Sequence, residues 1–97
     1  MTERVVLNVG CGPKLPDKLP ACFRAPGWRE IRMDIDPNVE PDVVASLTDL
    51  RGVGECSVDA IWSSHNLEHL YAFEVPTALK EFRRVLRPDG FALITLP

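Results

Sequence analysis

Two glycines and a downstream acid are the residues of this sequence best suited to binding a ligand. Gly10 and Gly12 end an apolar run that begins at Val5, and Asp34 closes a second apolar segment. Glycine takes positive φ readily, so its backbone can lie against a ligand. A carboxylate can accept hydrogen bonds from both hydroxyls of a ribose. A strand, a tight turn and an acid roughly 20 residues later indicate a nucleoside site in an open α/β sheet.

The turn lacks features that a dinucleotide site needs. A third glycine would stand where the sequence has Leu15, and Pro13 removes an amide that could bind a pyrophosphate. Pro16, Pro20 and Pro26 leave no room for a long helix after the turn. A site with few amide donors suits a nucleoside ligand without phosphates, such as S-adenosylmethionine, and disfavours a nicotinamide oxidoreductase.

Four segments, in order, resemble successive motifs of class I S-adenosylmethionine-dependent methyltransferases. They are Asn-Val-Gly-Cys-Gly at 8–12, Met-Asp-Ile-Asp at 33–36, Asp-Ala-Ile-Trp-Ser-Ser-His-Asn-Leu-Glu-His at 59–69 and Phe-Arg-Arg-Val-Leu-Arg-Pro-Asp-Gly at 82–90. The resemblance implies an α/β fold with a doubly wound, mainly parallel sheet in the order 3-2-1-4-5. It also implies methyl transfer from S-adenosylmethionine to an acceptor that the sequence does not identify.

The resemblance also implies roles for individual residues. Gly10 and Gly12 approach the methionine part of the cofactor, Asp34 binds the ribose, and Ile35 packs on the adenine face. Asn8 replaces the usual acid of the first motif and can still accept a hydrogen bond from the cofactor's amino group. The residue that meets the adenine edge is left open among Ser46, Leu47 and Asp49. Cys11 and Ser63 are two further candidates, which border the pocket.

Two of these candidates have a second interpretation. Asp49 can instead be a carboxylate of a turn or a helix cap. Cys11, between the two glycines, is either a reactive thiol or a small side chain beside the cofactor, and we favour the latter.

The segment His65-Asn66-Leu67-Glu68-His69 also fits the inverted zinc-protease signature. That site needs a long helix and a further acidic ligand, whereas the pattern here predicts a strand end, so we expect no metal. His65 either borders the methyl-transfer site or has a structural role, and it is the sole catalytic candidate. Glu68 and His69 are expected to support a short helix.

Hydrophobic periodicity predicts five strands and two helices. The predicted strands are residues 4–9, 30–34, 42–45, 58–62 and 91–96, with helices from Ser63 or Ser64 to about 72 and over 75–86. Phe23 and Trp28 should cover the sheet face left without a long helix. Residues 36–41 are short for a parallel crossover, so either the crossover is a bare loop or the third strand is very short.

Composition bounds the broad class of protein. The 97 residues predict one domain over 1–97, with 45% apolar and 26% charged residues and no stretch long enough to span a membrane. A net charge of −3 gives no footprint for nucleic acid, and the cluster Arg83, Arg84 and Arg87 is interpreted as a solvated helix end. Three cysteines and no signal peptide are typical of a cytoplasmic protein.

The last predicted strand has an open edge. The family's sheet has two more strands, so the chain is expected to be truncated after the fifth. Phe91 to Leu96 carries no charge, and such an edge pairs readily with another strand, which predicts a homodimer. The alternative to an active methyltransferase is a nucleoside-binding or interaction module that keeps the cofactor pocket without catalysis.

Overall fold

Five parallel strands form the sheet in the order β3-β2-β1-β4-β5. The computed structural model describes residues 3–15 and 18–97. Its strands and helices are β1 Arg4–Val9, α1 Ala21–Arg24, β2 Trp28–Asp34, β3 Val43–Val44, β4 Val58–Ser64, α2 Val75–Val85 and β5 Leu86–Thr95. The predicted α/β class, parallel sheet and strand order are confirmed. The order reverses between β1 and β4, where ligands of such sheets bind.

The larger core lies between the sheet and α2. Ala78, Phe82 and Val85 recur at helical spacing and are buried against Leu7 of β1 and Ile61 of β4. Burying a side chain of this size stabilises the fold by roughly 1.5–3 kcal/mol. The prediction of this helix over 75–86 is confirmed to within one residue at its end.

A smaller core covers the opposite sheet face. Phe23 of α1 is buried with Val6 and Ala60, and its ring meets Trp28 edge to face at a centroid distance of 5.0 Å. The predicted cover by Phe23 and Trp28 is therefore confirmed. Helix α1 has four residues, as the surrounding prolines require, although Pro16 lies outside the described residues.

The predicted helix from Ser63 or Ser64 to residue 72 is wrong. Ser63 is fully buried as a member of β4, paired with Ile94, so it does not cap a helix. Two 3₁₀ turns, Leu67–His69 and Ala72–Glu74, occupy the segment instead. The sheet ladder continues two residues beyond the predicted end of β4 because Ser63 and Ser64 both have partners on β5.

Strand boundaries also differ elsewhere. β2 begins two residues earlier than predicted, at Trp28, which pairs with Arg4. Of the two interpretations of the short crossover, the very short third strand is confirmed, since β3 has two residues. The crossover itself contains a 3₁₀ turn at Pro37–Val39 and so is not a bare loop. β5 begins at Leu86 and bulges before Phe91, so Arg87-Pro88-Asp89-Gly90 interrupts the ladder without ending the strand.

The arginine cluster is not simply solvated. The Arg84 guanidinium donates to the carbonyls of Leu50 at 2.8 Å and Val53 at 3.0 Å, and its Nε donates to Glu81 at 2.7 Å. Glu81 also accepts from the Leu50 backbone N–H. This pair ties α2 to the loop that precedes β4. Arg87 bonds to Asp59 at 3.2 Å, whereas Arg83 is exposed.

We expect part of the acid sensitivity of folding to come from Glu81. Hydrogen bonding from Arg84 lowers the pKa of Glu81 below its ordinary value. The stabilisation that ionised Glu81 gives to the folded state is complete above its unfolded-state pKa. It is lost as pH falls through the lower folded-state pKa. Urea unfolding from neutral to acid pH should therefore lose less free energy in Glu81→Gln than in wild type. Glu55→Gln, at an exposed position, is the control, and equal pH slopes in Glu81→Gln and wild type would contradict the assignment.

Candidate functional site

A cleft of about 250 Å³ opens at the carboxyl ends of β1 and β2. It extends to the segment that follows β4, next to the β1–β4 junction where the strand order reverses, and is lined by four separate segments. Its lining residues are Gly10, Met33, Asp34, Ile35, Ala45, Ser46, Leu47, Asn66, His69 and Leu70. This volume is below the roughly 300–1,000 Å³ of most small-molecule sites, so the cleft suits part of a ligand, such as a nucleoside.

The glycine turn is shaped by a contact with Asn66. Gly10 has φ of +61°, and a Cβ there would collide with the Asn66 carboxamide. The Asn66 side chain in turn donates to the Val9 carbonyl at 2.9 Å and to Ser63 Oγ at 3.2 Å. Gly10 is thus required both by backbone conformation and by the packing of Asn66 against the turn.

Asp34 faces the turn from the end of β2. Its Oδ2 accepts the Gly12 backbone N–H at 2.9 Å, and its Oδ1 accepts the Asp36 N–H at the same distance. A carboxylate has about four lone-pair sites, so these two bonds leave acceptor capacity on both oxygens. The two bonds orient the carboxylate and keep it able to accept two hydroxyl groups.

Ile35 and Leu47 form apolar parts of the cleft wall, and Ile35 is 70% exposed there. Ser46 also lines the cleft, with its hydroxyl 3.0 Å from that of Thr48. Asp49 does not line it. The Asp49 carboxylate instead binds the Arg51 guanidinium, which lowers the pKa of Asp49 and matches the interpretation of a turn carboxylate.

Asn8 and Cys11 lie apart from this cleft, along a second cavity of about 280 Å³. Asn8 is buried and donates to Glu30 at 2.8 Å. Cys11 is buried as well, and burial raises the pKa of its thiol above the ordinary value. That burial and protonation favour a packing role over a reactive one.

The two histidines are placed differently from the sequence expectation. His65 follows β4 with φ of +54°, its Nδ1 lies 3.5 Å from Glu68, and it is not among the residues that line the cleft. His69, expected to have a supporting role, does line the cleft. Ser63 is buried beneath Asn66 and contacts the site through that side chain.

Arg32 is a structural part of the site that the sequence did not reveal. Its buried guanidinium donates to the carbonyls of Gly12 at 2.6 Å, Glu40 at 2.8 Å and Val39 at 3.1 Å. It therefore joins the loop after β1 to the loop after β2. No spacing signal in the sequence distinguishes this arginine from the other charged residues of β2.

We expect the purified protein to hold no stoichiometric zinc. Within residues 3–15 and 18–97, no three His, Cys, Asp or Glu side chains form a metal-binding group. His65 and His69 occupy a strand end and a 3₁₀ turn, where a zinc-protease site would have a long helix. Metal analysis of protein prepared without an affinity tag checks this, and about one zinc per chain would restore the metalloprotease interpretation.

The fold is a doubly wound α/β sheet with a glycine turn and an acid at the ends of neighbouring strands. A family model described as a methyltransferase domain matches residues 7–94. The chain therefore belongs to the methyltransferase domain family. A comparison with curated proteins found no match.

Solved structures share the fold. A SAM-dependent methyltransferase from Archaeoglobus fulgidus superposes with a TM-score of 0.77 at 21% identity, over 98% of this chain and 45% of that one. A protein from Pyrococcus horikoshii superposes with a TM-score of 0.74 at 21% identity, over 97% of this chain and 47% of that one. The third is a 1,6-didemethyltoxoflavin-N1-methyltransferase from Burkholderia thailandensis with 1,6-didemethyltoxoflavin and S-adenosylhomocysteine bound. It superposes with a TM-score of 0.68 at 25% identity, over 93% of this chain and 44% of that one. The chain thus spans less than half the length of these structures.

No helix in the described part of the chain is long and apolar enough to cross a membrane.

Proposed function

We propose that this chain binds S-adenosylmethionine in the cleft beside Gly10 and Asp34 and contributes to methyl transfer. The observation that carries the proposal is the Asp34 carboxylate, held by two backbone N–H groups with acceptor capacity left on both oxygens. Membership of the methyltransferase domain family supports the same ligand. S-adenosylhomocysteine, bound in the Burkholderia thailandensis relative, is the product form of this cofactor.

The residues of the cleft fit the nucleoside half of this cofactor. Asp34 would accept the two ribose hydroxyls, Ile35 and Leu47 would cover the adenine ring, and Ser46 would meet its polar edge. Gly10 offers backbone without a Cβ where the 5′ arm leaves the ribose. The cofactor supplies an electrophilic methyl group on a sulfonium when bound.

The contribution of the chain to the reaction is chiefly orientation. Methyl transfer is an in-line displacement with a neutral leaving group, so holding the two reactants in line can supply most of the acceleration. His69, at the cleft wall, is the better candidate for accepting a proton from an acceptor that must lose one. His65 directly follows β4 and has, in this proposal, a structural role, since its backbone N–H donates to the Thr95 carbonyl at 3.0 Å.

Ligand binding is tested by thermal unfolding and calorimetry with S-adenosylmethionine, S-adenosylhomocysteine and NAD. A ligand at a hundred times its Kd stabilises by about 2.7 kcal/mol. For a domain of this size, Tm rises by roughly 4–8 °C for each kcal/mol. We expect the two adenosyl ligands, and not NAD, to raise Tm. A folded protein that responds to neither, or that prefers NAD, would overturn the proposal.

Catalysis needs a separate measurement. Transfer of an isotopically labelled methyl group to a panel of small acceptors would establish an enzyme. Binding of S-adenosylhomocysteine without transfer to any acceptor would instead favour the nucleoside-binding module. We further expect a cytoplasmic location, since three free cysteines are typical of a reducing compartment.

We also expect the chain to form a homodimer through β5. In the described part of the chain, β5 pairs only with β4, and Phe91 and Leu93 on one of its faces are 49% and 41% exposed. Two such edges can satisfy each other across a two-fold axis. Light scattering over a concentration series should give the mass of a dimer, and Leu93→Lys should shift it to monomer. Val44→Lys on the other edge strand is the control, and a wild-type monomer at all concentrations would contradict the interface.

A further inference from the structure

Three successive positions of the glycine turn, 11 to 13, offer no free backbone donor to an anionic ligand group. The Cys11 N–H donates to the Met33 carbonyl at 3.0 Å, and the Gly12 N–H donates to Asp34. Pro13 has no N–H. Three successive positions that could bind an anion through their amides are therefore already used or lack the donor.

A lysine ammonium lies on the same turn. Gly12 has φ of +64°, and a Cβ there would collide with Nζ of Lys18. The charge of Lys18 also acts on the neighbouring Cys11 thiol, where it opposes the effect of burial on the pKa. Within the described residues, the Lys18 ammonium has neither an ion-pair nor a hydrogen-bond partner, whereas the Lys18 backbone N–H donates to the Leu15 carbonyl at 3.4 Å. The three N–H donors of the ammonium are thus available at the turn.

We infer that Lys18 binds the carboxylate at the amino-acid end of the cofactor and so replaces the missing amides of the turn. The inference rests on the proposed function. Gly12 lies between the two charges, with its N–H bonded to Asp34 and its Cα beneath Lys18. Lys18 lines the second cavity together with Cys11, on the far side of the turn from the cleft lining. A ligand whose ribose is bound by Asp34 would extend its 5′ arm out of the cleft and over Gly12, which brings its carboxylate to the ammonium.

The test combines a substitution in the protein with a change in the ligand, and compares all four pairs. Calorimetry uses S-adenosylhomocysteine and its decarboxylated analogue, S-adenosyl-3-thiopropylamine, which lacks only the carboxylate. Lys18→Met should lose roughly tenfold in affinity for S-adenosylhomocysteine, the size of one charge-assisted hydrogen bond. Its affinity for the analogue should stay within about twofold of wild type, because no group remains for the lysine to bind. Lys18→Arg should keep most of the affinity for S-adenosylhomocysteine.

Lys80→Met is the matched control, since it removes the same charge from an exposed position on α2. It should leave both affinities unchanged. If Lys18→Met weakens both ligands by the same factor, or weakens neither, Lys18 does not bind the carboxylate and the inference is wrong. If folded wild type binds neither ligand, the proposed function fails together with the inference, a result distinct from a uniform loss in the variant.

Discussion

Gly10→Ala should be strongly destabilising and should abolish the cleft. Its left-handed backbone would cost an L-residue roughly 1–2 kcal/mol. The new Cβ would also collide with the Asn66 carboxamide, and overpacking of this kind costs about 1–3 kcal/mol. Urea unfolding measures the sum, and calorimetry with S-adenosylhomocysteine on the folded fraction measures the loss of the site.

Two further variants separate the contributions. Gly27 has φ of +95° and open space where a Cβ would be, so Gly27→Ala should show the backbone cost without the collision. The double variant Gly10→Ala with Asn66→Ala should lose less than the two single losses together, because the collision disappears. Additive losses, or a Gly10→Ala protein as stable as Gly27→Ala, would show that Asn66 does not press on the turn.

Asp34→Ala should weaken S-adenosylhomocysteine binding by roughly tenfold to a hundredfold. Losing charge-assisted bonds to the ribose corresponds to on the order of 1.5–3 kcal/mol. The decarboxylated analogue should lose affinity by the same factor, since it keeps the ribose. Calorimetry on both ligands measures this, and it separates the carboxylate at Asp34 from the ammonium at Lys18.

Asp36→Ala is the control for Asp34→Ala. Asp36 is also an acid after β2, but its exposed carboxylate accepts only the nearby Asn38 N–H among its described bonds. Its removal changes the net charge equally and should leave the affinity within about twofold of wild type. Equal affinities for wild type and Asp34→Ala would contradict the ribose assignment.

The strand order could be predicted only from the resemblance to the family, whereas the position of the glycine–acid pair could be predicted from local patterns. Apolar runs ending in Gly10 and Asp34 define strand ends, and parallel strands bring their carboxyl ends to one edge. The segment after Ser63 could not be predicted in this way. Its serines resemble helix caps, yet pairing with β5 extends the strand, and that competition is decided by residues 31 positions further along the chain.

The details of the site depend on contacts across the fold. Asn66 reaches the turn by a bond to the Val9 carbonyl, 57 residues away in sequence. His69, rather than His65, lines the cleft because a 3₁₀ turn replaces the expected helix and changes which side chains face inward. Neither outcome follows from residue spacing, since both are set by tertiary packing.

The bonds of Arg32 have a consequence for the thermodynamics of ligand capture. One guanidinium binds the carbonyls of Gly12, Val39 and Glu40, so these points of the loop after β1 and of the loop after β2 are held together before a ligand arrives. Loops that are rigid before an encounter lose little conformational entropy when a ligand arrives. Capture should therefore proceed with a small entropic penalty from the protein, and amide hydrogen exchange at Gly12 should already be slow in the free chain.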